Sequence, residues 1–485
     1  MRLWWIALPA AYFLYFFQLT GMGLVGPDEP RYASVGRAMA QSGDWVTPRL
    51  WGDPWFEKPA LLFWMTAAAF RAGLDEDWAP RLPVAVFSMA FLLFFYFPLK
   101  TQFGPQTAGY ATTVLATSAG WVAYSHAAVF DLPLSVTLGA AMLLLLSTIE
   151  RRPKKNLIGF AALLGISVLA KGLVGPALAG LTLLCWTARM GPRLLLDLTR
   201  PWPILAFVAT AVPWFALCYA RNGVVFLQEF FWKHHFARYL AGALEHHQPF
   251  WYFLPVAAGL LLPWTPLLAL LKRAGLWREP RAFFLAAWAT TTLVFFSLSQ
   301  DKLPAYVLPA LPALAALAGI ALADQKPVRV LLPLCAASLA LMPAAAAALP
   351  AALESGLLQA SQQANFSWPA LVAVAALCAG IWAAEKTRRR TAAVAAVAFC
   401  AVAGYAWIKH RAFPSIDRLA GTRALWHQVE TQRDSICLGQ LRRHLGYGLN
   451  YYAGRRLPSC EEDPKPIRIE GNGISSLPPT SPSRN

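Results

Sequence analysis

Thirteen apolar runs separated by short polar breaks set the pattern of this chain. A membrane-spanning helix needs about 20 mostly apolar residues. Runs of that order cover 4–20, 80–99, 106–124, 132–149, 157–170, 173–187, 202–220, 251–271, 282–299, 305–323, 330–349, 368–384 and 392–408. The pair at 157–170 and 173–187 is short and tightly joined. The stretch PALLFWMTAAAFRA at 59–72 is too short to span and reads as an interfacial helix lying along the membrane. The first run lacks a small-x-small cleavage site, so it reads as a retained signal anchor rather than a cleaved signal peptide. Long polar-rich intervals remain at 21–79, 221–250 and 409–485. Within the last, DSICLG and GYGLNYYAG alternate as strands do, and GNGISSLPPTSPSRN at 471–485 has the composition of disorder. The pattern predicts an all-α polytopic membrane protein of about thirteen transmembrane helices, with interfacial helices in the first outer loop. It divides into a membrane domain (1–408), a small extracytoplasmic α/β domain (409–470) and a disordered tail (471–485).

Composition sharpens this picture. The chain is 57% hydrophobic and 14% charged, where soluble proteins carry roughly 25% charged residues. The formal net charge of +17 does not point to nucleic acid, because Lys and Arg gather in short loops between apolar runs. Anionic lipid headgroups are the natural partners of such loops. The basic loops ERRPKKN (150–156), ARMGPR (188–193), KRAGLWREPR (272–281) and EKTRRR (385–390) belong in the cytoplasm, and YSHAAVFD (124–131) and 350–367 carry no Lys or Arg. An odd number of spans starting inside then places 21–79, 221–250 and 409–485 outside, in agreement with the charge rule. Five cysteines lie in or beside apolar runs as small core hydrophobes. Cys437 and Cys460 lie in the polar region, either paired as an extracytoplasmic disulfide or as two free thiols.

The candidate chemistry sits at the outer membrane face, where ionisable groups near lipid are costly and tend to face a cavity. In PDEPRYASV, Asp28 or Glu29 suits the cap of a helix beginning near Pro30. Asp28 and Arg31 also share a helix face at a spacing of three, an acid beside a base that fits general-base work next to a bound phosphate. In DPWFEKPALLFW, Pro59 fixes the direction of Glu57 and Lys58, a compact phosphate-binding cation; ordinary snorkelling is the bland alternative. Asp131 in FDLPLS suits either a helix start or a second site acid, and snorkelling accounts for Lys171 in LAKGLVGP. His234, His235, His246 and His247 crowd one outer loop, where a His pair with a carboxylate such as Glu57 would suit a divalent metal, against a bland reading as interfacial His. In SLSQDKLPAYVLPALP, Lys302 and Tyr306 offer further donors to a phosphate. No P-loop, dinucleotide fingerprint or HExxH motif occurs, so nucleotide-driven chemistry has no support. An enzyme on this face needs a donor already activated in the membrane, and a polyprenyl-phosphate sugar meets that need, since its leaving group is a phosphate that cations stabilise.

The stretch PDEPRYASVGRAMAQSGDWVTPRLWGDPWFEKPALLFW resembles the first outer loop of the aminoarabinose lipid A transferase family. These are bacterial membrane glycosyltransferases of the GT-C superfamily, related to protein O-mannosyltransferases. FDLPLS, AKG, FWKHHFARY, HQPFWYF and SLSQDKLPAYVLP follow in the family's order, and the resemblance covers residues 1–325 or so. It implies a thirteen-helix bundle under an outer domain and an undecaprenyl phosphate donor. Asp28 matches the family's leading acid, a candidate base, and Asp131 a second acid. Arg31, Lys58 and Tyr306 match residues that hold the lipid phosphate. Glu57 and His235 match positions that coordinate zinc in a relative, where the metal is either structural or catalytic. Pro30 stands between Glu29 and Arg31 as a small departure that leaves the spacing intact.

The leading expectation is therefore a monomeric inner-membrane glycosyltransferase with a periplasmic C-terminal domain. It moves a sugar from polyprenyl phosphate to an envelope acceptor such as lipid A by inverting displacement. A protein hydroxyl is the alternative acceptor, and a transporter or flippase of lipid-linked sugar is the alternative function.

Overall fold

A computed structural model describes residues 4–150, 153–237, 248–272, 276–324, 326–356, 362, 367–471 and 473–476; for 4–6, 234–237, 276, 355 and 473–476 only the backbone is described. Within these residues, seven helices are long and apolar enough to cross a membrane: Trp78–Phe103, Pro201–Lys233, Pro280–Leu298, Pro304–Ala323, Leu331–Glu354, Trp368–Lys386 and Arg390–Leu419. Phe250–Leu260 and Thr265–Lys272 meet at 115° and make an eighth span if taken together.

The apolar runs outnumber the long helices because some runs are divided or bent and others are carried by shorter helices. The run at 106–124 is carried by two helices, Pro105–Ala116 and Ala119–Tyr124, and that at 132–149 by Asp131–Leu146. The tightly joined pair becomes Lys154–Lys171 and Val174–Met190, parted at Gly172, whose φ of +67° suits glycine. Proline opens the helices at Pro105, Pro201 and Pro280, where its missing N–H costs nothing. The carboxylate of Glu279 and the hydroxyl of Ser367 accept hydrogen bonds from Ala282 N and Ala370 N, capping their helices.

Small residues let the helices approach. A Cβ on Gly319 would lie 2.6 Å from the Cβ of Ala111, so the Leu311–Ala323 and Pro105–Ala116 helices touch backbone to backbone there. The Pro304–Ala323 segment is buried along almost its whole length and forms the centre of the bundle.

Outside the bundle, the first loop folds as a helix (Asp28–Ser42), a two-stranded hairpin (Arg49–Leu50 with Asp53–Pro54) and the expected short helix (Leu61–Arg71). The first helix begins at Asp28, two residues ahead of the start expected at Pro30, and neither Asp28 nor Glu29 makes a capping hydrogen bond. Both acids still suit the positive end of the helix dipole.

The Arg390–Leu419 helix runs unbroken through position 408 and leads into the C-terminal region. There the Arg443–Ala453 helix packs with a three-stranded sheet, in which Ile436–Leu438 runs parallel to Ile467–Glu470 and Gly473–Ser476 pairs antiparallel to the latter. Residues 473–476 are therefore a strand rather than part of a disordered tail, because their backbone completes the ladder of Ile467–Glu470. Residues 472 and 477–485 lie outside the described residues. Cys437 and Cys460 form a disulfide.

The first loop and this C-terminal region share one apolar cluster, in which Leu24 and Ala33 pack with Trp426, Leu449 and Tyr452. Arg423 pins the two together, pairing with Asp77 at 2.5 Å and Asp417 at 2.9 Å.

Candidate functional site: a cation cluster at the first long loop

The motif PDEPR splits into two different environments one residue apart. Glu29 is 4% exposed and Arg81 fully buried. Arg81 Nε and Nη2 donate to the two Glu29 oxygens at 3.0 and 2.7 Å, and its remaining donors reach the carbonyls of Leu19, Met22 and Gly23. The backbone N–H groups of Val25 and Ala128 also donate to Glu29. A buried ion pair offsets its desolvation only when its polar atoms are satisfied in this way. The pair joins the first loop to the Trp78–Phe103 helix and to the loop before Asp131. Arg81 carries no signal in the sequence beyond being a lone Arg at the start of an apolar run.

Asp28 has a different environment: its side chain is 42% exposed. It accepts a hydrogen bond from Arg31 Nη2 at 2.6 Å. Arg31 is 6% exposed, and its Nη1 lies 3.4 Å from Glu57 Oε2. Lys58 Nζ lies 3.2 Å from the other oxygen of Glu57. FEKP, further down the same loop, is thus folded back onto PDEPR, and one carboxylate spaces two cations. Aromatic rings enclose the guanidinium: Tyr32, Trp55 and Tyr447 have centroids 5.2, 5.3 and 5.4 Å from Arg31 Cζ. Tyr447 comes from the C-terminal region, so that region helps to roof the site. Burial works against the charge on Arg31, but the surrounding Tyr32, Glu57 and Asp28 oxygens outweigh it and raise its pKa. Burial, with the Asp28 charge, also holds the Tyr32 phenol well above its usual range, so it stays a hydrogen-bond donor.

A second node stands beside the first. Lys171 Nζ is 2.5 Å from Asp131 Oδ1, and it sits 4.4 Å over the ring of Tyr306. Lys171 is therefore not a snorkelling lysine: an acid and an aromatic face hold it at 14% side-chain exposure. Asp131 does begin its helix, but its carboxylate serves the ion pair and makes no cap bond. The nodes are joined through aromatic contact, since Phe130 packs edge-on against Tyr32 at 4.8 Å and Phe63 at 5.2 Å. Lys302 is buried, and its Nζ donates to the Ser299 carbonyl of its own turn at 2.5 Å.

No group of three His, Cys, Asp or Glu side chains stands close enough to hold a metal among the described residues. The side chain of His235, with His246 and His247, lies outside them. Glu57 is already flanked by two cations, a field that opposes a divalent ion.

Chemically, Arg31 and Lys58 each face a carboxylate that a phosphate can replace. Their internal pairs hold the cations ordered before a ligand arrives, and a phosphate offers stronger charge-assisted hydrogen bonds in exchange.

Three comparisons with known proteins found relatives of this chain. Residues 57–219 match the family described as dolichyl-phosphate-mannose-protein mannosyltransferase. A Serratia proteamaculans protein named undecaprenyl phosphate-alpha-4-amino-4-deoxy-L-arabinose arabinosyl transferase is 33% identical over 324 residues, 63% of this chain and 57% of that protein. The chain therefore spans less than two thirds of the length of that curated relative. The crystal structure of ArnT from Cupriavidus metallidurans bound to undecaprenyl phosphate superposes with a TM-score of 0.75 at 27% identity, covering 94% of this chain and 86% of that one. The Mycobacterium smegmatis arabinosyltransferase EmbB shares the fold alone, with a TM-score of 0.51 at 15% identity over 93% of this chain and 42% of that one. The chain is thus similar in sequence and fold to the aminoarabinose transferase-like GT-C family. Its apolar helices and these relatives indicate a multi-pass bacterial inner-membrane protein.

Proposed function

We propose that this chain is a polyprenyl-phosphate-dependent glycosyltransferase that moves a sugar from an undecaprenyl phosphate donor to an envelope acceptor such as lipid A. The observation that carries the reading is the pairing of Arg31 and Lys58 through Glu57 under an aromatic roof. The likeness to transferases that use this donor supports it. In our reading, the acceptor oxygen attacks the anomeric carbon while the bond from that carbon to the phosphate oxygen breaks, with inversion. Negative charge grows on the leaving undecaprenyl phosphate, where Arg31, Lys58 and the Tyr306 hydroxyl stabilise it. Lys302 precedes the helix that carries Tyr306 and, with its ammonium on the Ser299 carbonyl, adds only background positive charge to the proposed site.

Asp28 is the exposed acid of the cluster. It removes the acceptor proton if that group is a hydroxyl, and only positions it if the group is an ionised phosphate. Asp131 holds Lys171 against Tyr306 and so sets the second wall. No step of the proposed reaction passes through a metal on Glu57 and His235. The thirteen-span topology, the periplasmic placement of residues 409–470 and a monomeric state complete the proposal. The Cys437–Cys460 disulfide supports the periplasmic placement, since disulfides persist in oxidising compartments.

The test is to supply the full chain in detergent with a labelled undecaprenyl-phosphate sugar and lipid A. Release of undecaprenyl phosphate with sugar appearing on the acceptor is the expected outcome. Movement of intact donor across a vesicle without bond cleavage would remove the transferase reading in favour of a flippase.

A further inference from the structure

A polar cavity lies beyond the cation cluster, between parts of the chain far apart in sequence. It measures about 230 Å³ and opens between the first outer helix with its hairpin and the end of the Arg443–Ala453 helix. Its lining includes Arg37, Arg455 and Arg456 beside Gln41, Trp51 and Asn450, and among the described residues no Asp or Glu lines it. The acids that pair with Arg37 and Arg455 are Glu76 and Asp434, and both lie outside the cavity wall. The field inside is therefore positive.

Trp51 is the unusual wall. Its φ is +55° and that of Gly52 is +101°, so both central residues of the tight hairpin turn are left-handed. Such turns favour Asn-Gly or Gly-Gly, and a tryptophan there is strained. Its indole N–H is also buried without a hydrogen-bond partner among the described residues. Two local costs at one cavity wall point to a residue kept for a ligand rather than for stability. Position adds to this. The Trp51 ring stacks on Tyr447 at 5.5 Å and 25°, and Tyr447 in turn packs against Arg31. One aromatic ring separates this cavity from the donor-phosphate cations.

We propose that the cavity receives a phosphorylated sugar unit of the acceptor lipid. The C–H face of a sugar suits an aromatic wall, and guanidiniums grip phosphate with two parallel hydrogen bonds. Its volume is below the roughly 300–1,000 Å³ of pockets for drug-sized ligands, so it takes one sugar-phosphate unit rather than a whole headgroup. This inference rests on the transferase reading, because it supplies that reaction with its acceptor.

Binding to the full chain in detergent tests it, with a fluorescent bisphosphorylated glucosamine-disaccharide lipid, its dephosphorylated counterpart and inorganic phosphate as probes. Wild type should bind the phosphorylated lipid better than the dephosphorylated one. The double variant Arg455→Gln/Arg456→Gln should weaken the phosphorylated lipid by about tenfold or more. Arg455→Lys/Arg456→Lys should retain part of the affinity, and it carries the test should the Gln variant fail to fold. Trp51→Ala should weaken both lipids. Equal binding of the two lipids by wild type, or an unchanged dissociation constant in the Gln variant, overturns the proposal. So does phosphate binding with no glycolipid binding, which means an adventitious ion only. An acidic peptide that competes as well as the phosphorylated lipid overturns it too, in favour of a protein acceptor. Undecaprenyl phosphate binding by wild type is scored separately. Its absence defeats the transferase reading, whereas its presence with no glycolipid binding defeats only the cavity.

Discussion

Asp28 and Glu29 are neighbours in one motif, yet the fold gives them opposite work. Glu29 is sealed against Arg81, with its oxygens also taking backbone N–H groups from Val25 and Ala128. Asp28 keeps close to half of its side chain exposed and, among the described residues, accepts one hydrogen bond, from Arg31. The difference teaches how to read a charged motif beside a membrane. A buried carboxylate with every lone pair engaged holds structure. A partly exposed one, tied to a cation that itself faces a second carboxylate, is available for chemistry.

The largest expected effect lies on the structural side. Arg81→Ala strands the Glu29 charge, and breaking such a buried pair costs about 3–5 kcal/mol. Folded yield and melting temperature in detergent should collapse; a variant that melts like wild type would erase the distinction between the two acids. On the chemical side, Lys58→Ala should lower kcat/KM by about 100-fold or more, the scale of losing one donor to a developing oxyanion, with melting unchanged. Near-wild-type turnover in that variant removes Lys58 from the phosphate site.

Asp28→Asn should slow turnover by about 100-fold if Asp28 takes a proton, while Asp28→Glu keeps much of the rate. Equal, mild losses in both variants would reduce Asp28 to a charge at the helix N-terminus. The smallest effect concerns the second node. A double-mutant cycle over Asp131→Ala and Lys171→Ala should return a coupling of about 0.5–3 kcal/mol in transition-state stabilisation, as directly paired groups do. A coupling near zero would leave the two residues as independent wall positions.

The motifs themselves are legible in the chain. PDEPRY, FEKP, FDLPLS and DKLPAY are each identifiable as charged motifs at the outer ends of apolar runs, and their order carries the family likeness. Their pairings are not legible. Glu29 meets Arg81 across 52 positions and Lys171 meets Asp131 across 40, separations that leave no local periodicity to read. Trp51 and Tyr447 are further apart still. Lys171 has the sequence surroundings of a snorkelling lysine because hydropathy reports how apolar its neighbours are, not which acid the preceding helix brings. The span count shows the same limit. Apolar composition marks where lipid or core will be met and already parts the runs at Gly172, but the helix break at Thr117 follows from backbone geometry and packing.

By itself, then, the sequence determined that this protein is an apolar helical bundle in a membrane, with its chemistry gathered at one face. Burial of apolar side chains and the cost of charge in lipid both act residue by residue, so they can be read along the chain. Only the tertiary structure decided which acid became an anchor and which stayed open, and that the C-terminal region closes over Arg31 through Tyr447. Those outcomes depend on desolvation and on partners brought from distant segments, and both are properties of the packed molecule.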